Sequence, residues 1–143
     1  MSEGQHMQIG EVADRTGLSL RTIRHYEEVG LVPPSARSKG GFRLYTEADV
    51  ERLLLVRRMK PLDFTLEEMR DLLALLDQLD ADDHPRRAVL IDRLSMYHEV
   101  TTQRIDALRD QLTAAETFAG ELRAQITRHT RPRRRRGEPE RPR

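Results

Sequence analysis

A mainly α-helical fold, with an N-terminal domain of short helices and one hairpin followed by a single long helix, is what this 143-residue sequence predicts. Three observations carry that reading. Apolar residues recur at helical spacing in four short windows before residue 80, each bounded by a capping residue, glycine or proline. The pair Gly40-Gly41 lies in a stretch of alternating polarity, which marks a hairpin. After Pro85 neither glycine nor proline interrupts the chain until Gly120, while apolar side chains repeat in steps of three and four. The length suits one domain and an extended appendage, not two globular domains.

The first seven residues show no periodicity and read as a flexible leader outside the fold. Ile9, Val12 and Ala13 share a helical face, and Gly17 supplies a C-cap, so the first helix spans 8–16. Ser19 is an N-cap and Gly30 a left-handed stop, which places a second helix over 20–29. Two short helices joined by Thr16-Gly17-Leu18 match a helix-turn-helix. Pro33-Pro34 forbids continuation, and residues 35–45 read as a hairpin, or wing, with Phe42 and Leu44 alternating against Arg43 and Tyr45. Thr46 with Asp49, and Thr65 with Glu68, cap a third helix to about Met59 and a fourth over 66–79. Met59, Phe64, Met69, Leu72 and Leu73 are assigned to the core between helices, or to the floor beneath the long helix.

Residues 80–88 form a linker and helix start, and a coiled-coil helix follows over 89–128. Its heptad seam runs through Ile91, Leu94, His98, Thr101, Ile105, Leu108, Leu112, Ala115, Ala119, Leu122 and Ile126. Five heptads at about 1.5 Å per residue reach roughly 50 Å, too long for the small N-terminal domain to cover, so the stripe calls for a second chain. His98 and Thr101 weaken one layer and are suited to setting register. The Arg-rich tail, 129–143, has hardly any apolar side chain and reads as disordered.

The 25 Lys and Arg nearly balance the 24 Asp and Glu, but residues 128–143 hold eight Arg against two Glu, so the tail carries the basic excess. Cysteine is absent, which excludes disulfides, thiolate metal sites and a nucleophilic thiol. No apolar run is long enough to span a membrane and no secretory signal is visible, so a cytoplasmic, nucleoid-associated protein is expected. The five histidines, His6, His25, His84, His98 and His129, include no pair at ligand spacing on one face; no metal and no cofactor is expected. Nor is there a phosphate-binding glycine loop or a nucleophile with its base, so an enzyme is not expected.

The strings Ile9-Gly-Glu-Val-Ala13 and Thr16-Gly-Leu-Ser-Leu-Arg-Thr-Ile-Arg-His-Tyr-Glu-Glu-Val-Gly-Leu-Val-Pro-Pro34, with Gly41-Phe-Arg-Leu-Tyr-Thr-Glu-Ala-Asp-Val-Glu-Arg-Leu53 and Asp63-Phe-Thr-Leu-Glu-Glu-Met69, closely resemble the MerR family of bacterial transcription regulators. The resemblance covers about residues 8–77 and implies a winged helix-turn-helix DNA-binding domain over 8–79. It also implies an antiparallel homodimer built on the long helix, double-stranded promoter DNA as ligand, and RNA polymerase at the promoter as a further partner. Three positions depart from the family pattern: Gln8 replaces a Thr or Ser cap, His25-Tyr26 replaces a frequent aromatic pair, and Asp63 replaces a frequent glycine between the third and fourth helices. Sensors in that family carry cysteines beyond the dimer helix or a separate C-terminal ligand domain; this chain reads as a short form with neither.

On the second helix Ser19, Arg21, Thr22, Arg24, His25 and Tyr26 are the candidate DNA contacts. Arg21 suits the guanine edge, where O6 and N7 accept two hydrogen bonds, while His25 and Tyr26 suit phosphate. For Arg24 and Tyr26 the alternative is packing within the domain. Arg37, Lys39, Gly41, Arg43 and Tyr45 are the candidate phosphate contacts of the wing. Among Arg57, Arg58 and Lys60, which complement the end of the third helix, only Lys60 is ranked as a contact. The expected function is promoter-specific regulation by DNA distortion. The rival is a nucleoid-architectural or recombination-accessory protein of low selectivity, a reading that the Arg-rich tail also suits.

Overall fold

The structure, a computed structural model, describes residues 5–81 and 85–132. Its elements in chain order are β1 (Met7–Gln8), α1 (Ile9–Thr16), α2 (Leu20–Glu28), β2 (Ala36–Arg37), β3 (Arg43–Tyr45), α3 (Glu47–Met59), a 3-10 turn (Lys60–Leu62), α4 (Leu66–Asp80) and α5 (Arg87–Thr130). The described residues divide into two units after Thr101.

Capping explains most of the boundaries. Gly17 ends α1 at φ 71°, a left-handed conformation that costs glycine little. The Ser19 hydroxyl accepts from the Thr22 amide, and Thr46 and Thr65 each form a full capping box, with Asp49 and Glu68. The turn from α3 to α4 depends on Asp63 at φ 60°, the one non-glycine residue with positive φ among the described residues. Asp tolerates this region better than most side chains, so the turn forms without the usual glycine.

The sheet has strand order β1-β3-β2, all antiparallel, with Met7 opposite Tyr45 and Arg37 opposite Arg43. This corrects two expectations. Met7 is not leader: it pairs in β1 and is buried in the core. Tyr45, expected as a phosphate contact of the wing, is fully buried beside this pairing, while Phe42 is 64% exposed. With three residues in β3, alternation in sequence cannot set which face is inside. The core beneath the sheet collects Val12 from α1, Ile23 and Tyr26 from α2, Val32, and Val50, Leu53 and Val56 from α3. Met59, Phe64, Met69 and Leu73 are buried as expected, with Leu72 packed partly against them.

At the C-terminal edge of the first unit, Asp71 of α4 accepts from the Tyr97 hydroxyl at 2.5 Å and pairs with Arg93, both on α5. Tyr97 also stacks at a tilt on Phe64, with ring centroids 6.3 Å apart. The fourth helix ends at Asp80 and α5 begins at Arg87, close to the expected 79 and 89. At its far end α5 continues through His129 and Thr130, which the sequence assigns to the tail. Residues 133–143, the bulk of that tail, lie outside the described residues, as do 82–84 of the linker.

Candidate nucleic-acid interface

The second helix is amphipathic in the way a reading helix requires. Ile23 and Tyr26 point into the core, while Arg21, Arg24, His25 and Glu28 are exposed on the opposite face. Ser19 and Thr22 are engaged with each other: the Ser19 hydroxyl donates to Thr22 Oγ1 at 2.8 Å and accepts from the Thr22 amide at 3.1 Å. They anchor the start of the helix. Tyr26 keeps 5% of its surface exposed, so the packing alternative accounts for its ring. Burial also raises its hydroxyl pKa.

The wing beside this helix is held by Glu27, a residue that charge counting did not single out. One carboxylate oxygen of Glu27 accepts from Arg37 Nη2 at 2.6 Å, and the other accepts from Arg43 Nε. The pairing raises the Arg43 pKa further above its already high value. Arg37 Nη1 also donates to the Gly41 carbonyl at 3.1 Å, which closes the hairpin on itself. Arg37 is half exposed, Arg43 is largely covered, and Lys39 and Gly41 are exposed at the tip. Both arginines thus have a structural partner, which spacing in sequence could not reveal because it joins α2 to two strands.

Tyr45 is a correction. It is fully buried, its hydroxyl has no hydrogen-bond partner among the described residues, and burial raises its pKa. A side chain with no exposed surface cannot contact a phosphate, so Tyr45 is a core residue and not part of the interface. Lys60, in the 3-10 turn, is exposed as a contact requires. Arg57, read only as complementing its own helix, donates instead to the Thr16 carbonyl at 2.8 Å and caps α1 from across the domain. Arg70 does the same for the end of the second helix, donating to the Val29 carbonyl at 2.6 Å.

On α5, Leu94 and Thr101 are half-buried within their own unit, and Thr101 Oγ1 donates to the Tyr97 carbonyl at 2.8 Å. His98 is exposed, as are Ala115 and Ala119. Ile105, Leu108, Leu112 and Leu122 are 38–60% exposed, so one chain leaves its own seam uncovered. Met96 and Phe118, off the seam, are exposed as well. Among the described residues no three His, Cys, Asp or Glu side chains gather as a cation site, and no helix is long and apolar enough to cross a membrane.

A helix-turn-helix with an exposed basic face, a wing clamped to its second helix and a following long helix define a winged helix-turn-helix DNA-binding protein. The chain belongs to the MerR family: residues 7–76 match the MerR HTH family regulatory protein model, and residues 50–126 match the model for MerR, DNA binding. Among relatives, it is 44% identical to the mercuric resistance operon regulatory protein of Bacillus cereus over 51% of this chain and 55% of that protein. It is 38% identical to the HTH-type transcriptional activator TipA of Streptomyces coelicolor over 76% of this chain and 39% of TipA. The chain thus spans about half the length of these relatives or less. The fold matches the crystal structure of HiNmlR, a MerR family regulator lacking the sensor domain, bound to promoter DNA; the TM-score is 0.57 at 20% identity, over 86% of this chain and 89% of that one. These relatives are transcription regulators, and this chain is a DNA-binding member of the same family.

Proposed function

We propose that the protein is a homodimeric, promoter-specific regulator in which two copies of α2 read the inverted halves of a pseudo-palindromic site. It alters transcription by bending or untwisting the DNA between them, where RNA polymerase also binds. Arg21 reads base edges, with Thr22, Arg24 and His25 beside it. Arg37, Lys39, Gly41 and Arg43 of the wing, with Lys60, hold phosphates.

The observation that carries the dimer is the uncovered apolar seam from Ile105 to Leu122. An aliphatic stripe at heptad spacing is unfavourable in water and is satisfied by a second helix of the same kind. A twofold dimer then presents two recognition helices to inverted half-sites, and any mismatch with relaxed DNA is met by deforming the centre, at a cost of order 1–6 kcal/mol.

Selecting duplexes from a random-sequence pool and measuring their bend by circular permutation tests this reading. Enrichment of a pseudo-palindrome that is bent or unstacked at its centre is the expected result. Tight binding to straight, stacked DNA would leave a steric repressor, and no enrichment over random sequence would favour the architectural role.

A further inference from the structure

We propose that the cleft between α4 and the first turns of α5 is an effector site for a small, uncharged aromatic molecule that carries an oxygen acceptor. The inference gives the regulator a ligand, and it rests on the regulator reading only for the effect of that ligand on DNA binding.

The cleft encloses about 260 Å³ and is lined by Glu68 and Asp71 of α4 and by Arg93, Met96, Tyr97 and Val100 of α5. All six lie within the first unit. With Leu94, His98 and Thr101 on the seam, Met96 falls at the heptad position opposite it, and Arg93 and Val100 at the position beside Met96, so a helix paired along the seam does not cover them. Such outward positions ordinarily hold polar side chains. Here they present a methionine that is 66% exposed and a half-buried valine. The wall between them is fixed in advance: Tyr97 packs on Phe64, with ring centroids 6.3 Å apart, and its hydroxyl donates to Asp71 at 2.5 Å. The ring is therefore held in place before any ligand arrives.

The polar groups select the ligand. Asp71 uses one oxygen on Arg93 and the other on Tyr97, and Glu68 Oε1 accepts from the Thr65 amide at 2.9 Å. An anion would meet these two carboxylates, and a cation would shed its hydration for carboxylates that are already bonded while facing Arg93. A neutral molecule meets neither penalty. The Arg93 guanidinium has five N–H groups and directs one at Asp71 among the described residues, which leaves donors for a ligand oxygen. Met96, Val100 and the Tyr97 ring supply apolar contact for an aromatic body. The volume is just under the roughly 300 Å³ at the lower end of small-molecule sites, which limits that body to one or two rings. Such a ligand touches α4 and α5 at once, and α5 carries the seam on which the proposed dimer is built, so its occupancy is coupled to DNA binding.

The chain contains no tryptophan, so the emission of a naphthyl probe is read without interference. The probes are naphthol, naphthoate and naphthylmethylammonium, alike in size and different in charge at neutral pH, titrated into the full chain without DNA. Naphthol is expected to bind at least about tenfold more tightly than either charged analogue. Val100→Phe, which fills the cleft, should weaken naphthol about tenfold, and Met96→Ala, at an exposed position, a few-fold with no change in melting temperature. Saturating naphthol should shift the Kd for a duplex selected by the unaltered chain several-fold, and that duplex should shift the naphthol Kd by the same factor. No naphthol binding, tighter binding of a charged analogue, or a naphthol Kd that neither variant moves would overturn the proposal. Binding by Leu108→Asp but not by the unaltered chain would do so too, by assigning the cleft to a second copy. Naphthol binding that leaves DNA affinity unchanged would remove the effector role. If the unaltered chain selects no duplex, the promoter-specific reading falls, while the titration without DNA still decides the site.

Discussion

Glu27 and Arg43 form the join between the recognition helix and the wing: one Glu27 oxygen takes the Arg43 Nε–H while the other takes Arg37. Glu27 is the better-covered partner in both pairs, so the contact is shielded from salt more than a surface pair is. It ties α2 and the hairpin together as one body.

Glu27→Gln should separate positioning from charge. Freed wing arginines should raise affinity for random duplex a few-fold while narrowing the gap between selected and random DNA. Glu28→Gln, which removes the same charge from an exposed neighbour, should raise both affinities together and keep the gap. Fluorescence anisotropy on the two duplexes decides it; identical behaviour of the two variants would reduce Glu27 to a background charge.

Tyr45→Phe should stabilise the protein by about 1 kcal/mol, since it removes a buried hydroxyl that lacks a partner among the described residues. Tyr45→Ala should cost about 3–5 kcal/mol through the cavity it leaves. DNA affinity of Tyr45→Phe should be unchanged at saturating folded protein. A drop in affinity without a drop in stability would show that the hydroxyl does reach the ligand.

Leu108→Asp should dissociate the proposed dimer. The substitution puts a charge in the middle of the seam, where each buried aliphatic side chain contributes about 1.5–3 kcal/mol. Light scattering at micromolar concentration should give twice the chain mass for the unaltered protein and one chain mass for the variant. A monomeric unaltered protein would remove the basis for paired half-sites.

The contact between Asp71 and Tyr97 predicts a pH profile. Bonds from Arg93 and then Tyr97 lower the Asp71 pKa below 3.8, so its contribution is present above about pH 4 and is lost as pH falls through the lowered value. Burial, then the bond to Asp71, pushes the Tyr97 hydroxyl from 10.0 up to about 12, so its contribution is complete below pH 10 and is lost as pH rises toward 12. Tyr97→Phe should cost about 1 kcal/mol at neutral pH, a hydrogen-bond value reduced for solvent access, and should weaken the alkaline decline in denaturant stability. Tyr26 and Tyr45, also raised by burial, leave a residual decline, so the measured quantity is the difference between the two proteins. Superimposable alkaline limbs would exclude Tyr97 as a contributor.

Much of this molecule was determined by local chemistry that a sequence displays. Ser19, Thr46 and Thr65 start helices because a side-chain oxygen meets an orphan amide three residues on, and Gly17 and Gly30 end them because the backbone must turn left-handed there. The heptad stripe of α5 is equally legible, being a matter of period. Tertiary structure alone decided what depends on partners far along the chain. Met7 became a strand because Tyr45 was there to pair with it, and that pairing turned Tyr45 into the core and left Phe42 outside. Arg57 caps a helix 41 residues upstream, and Glu27 claims two arginines from two strands. A periodicity states which residues share a face, but which face is buried, and which charge meets which, is settled by the other elements that pack against it.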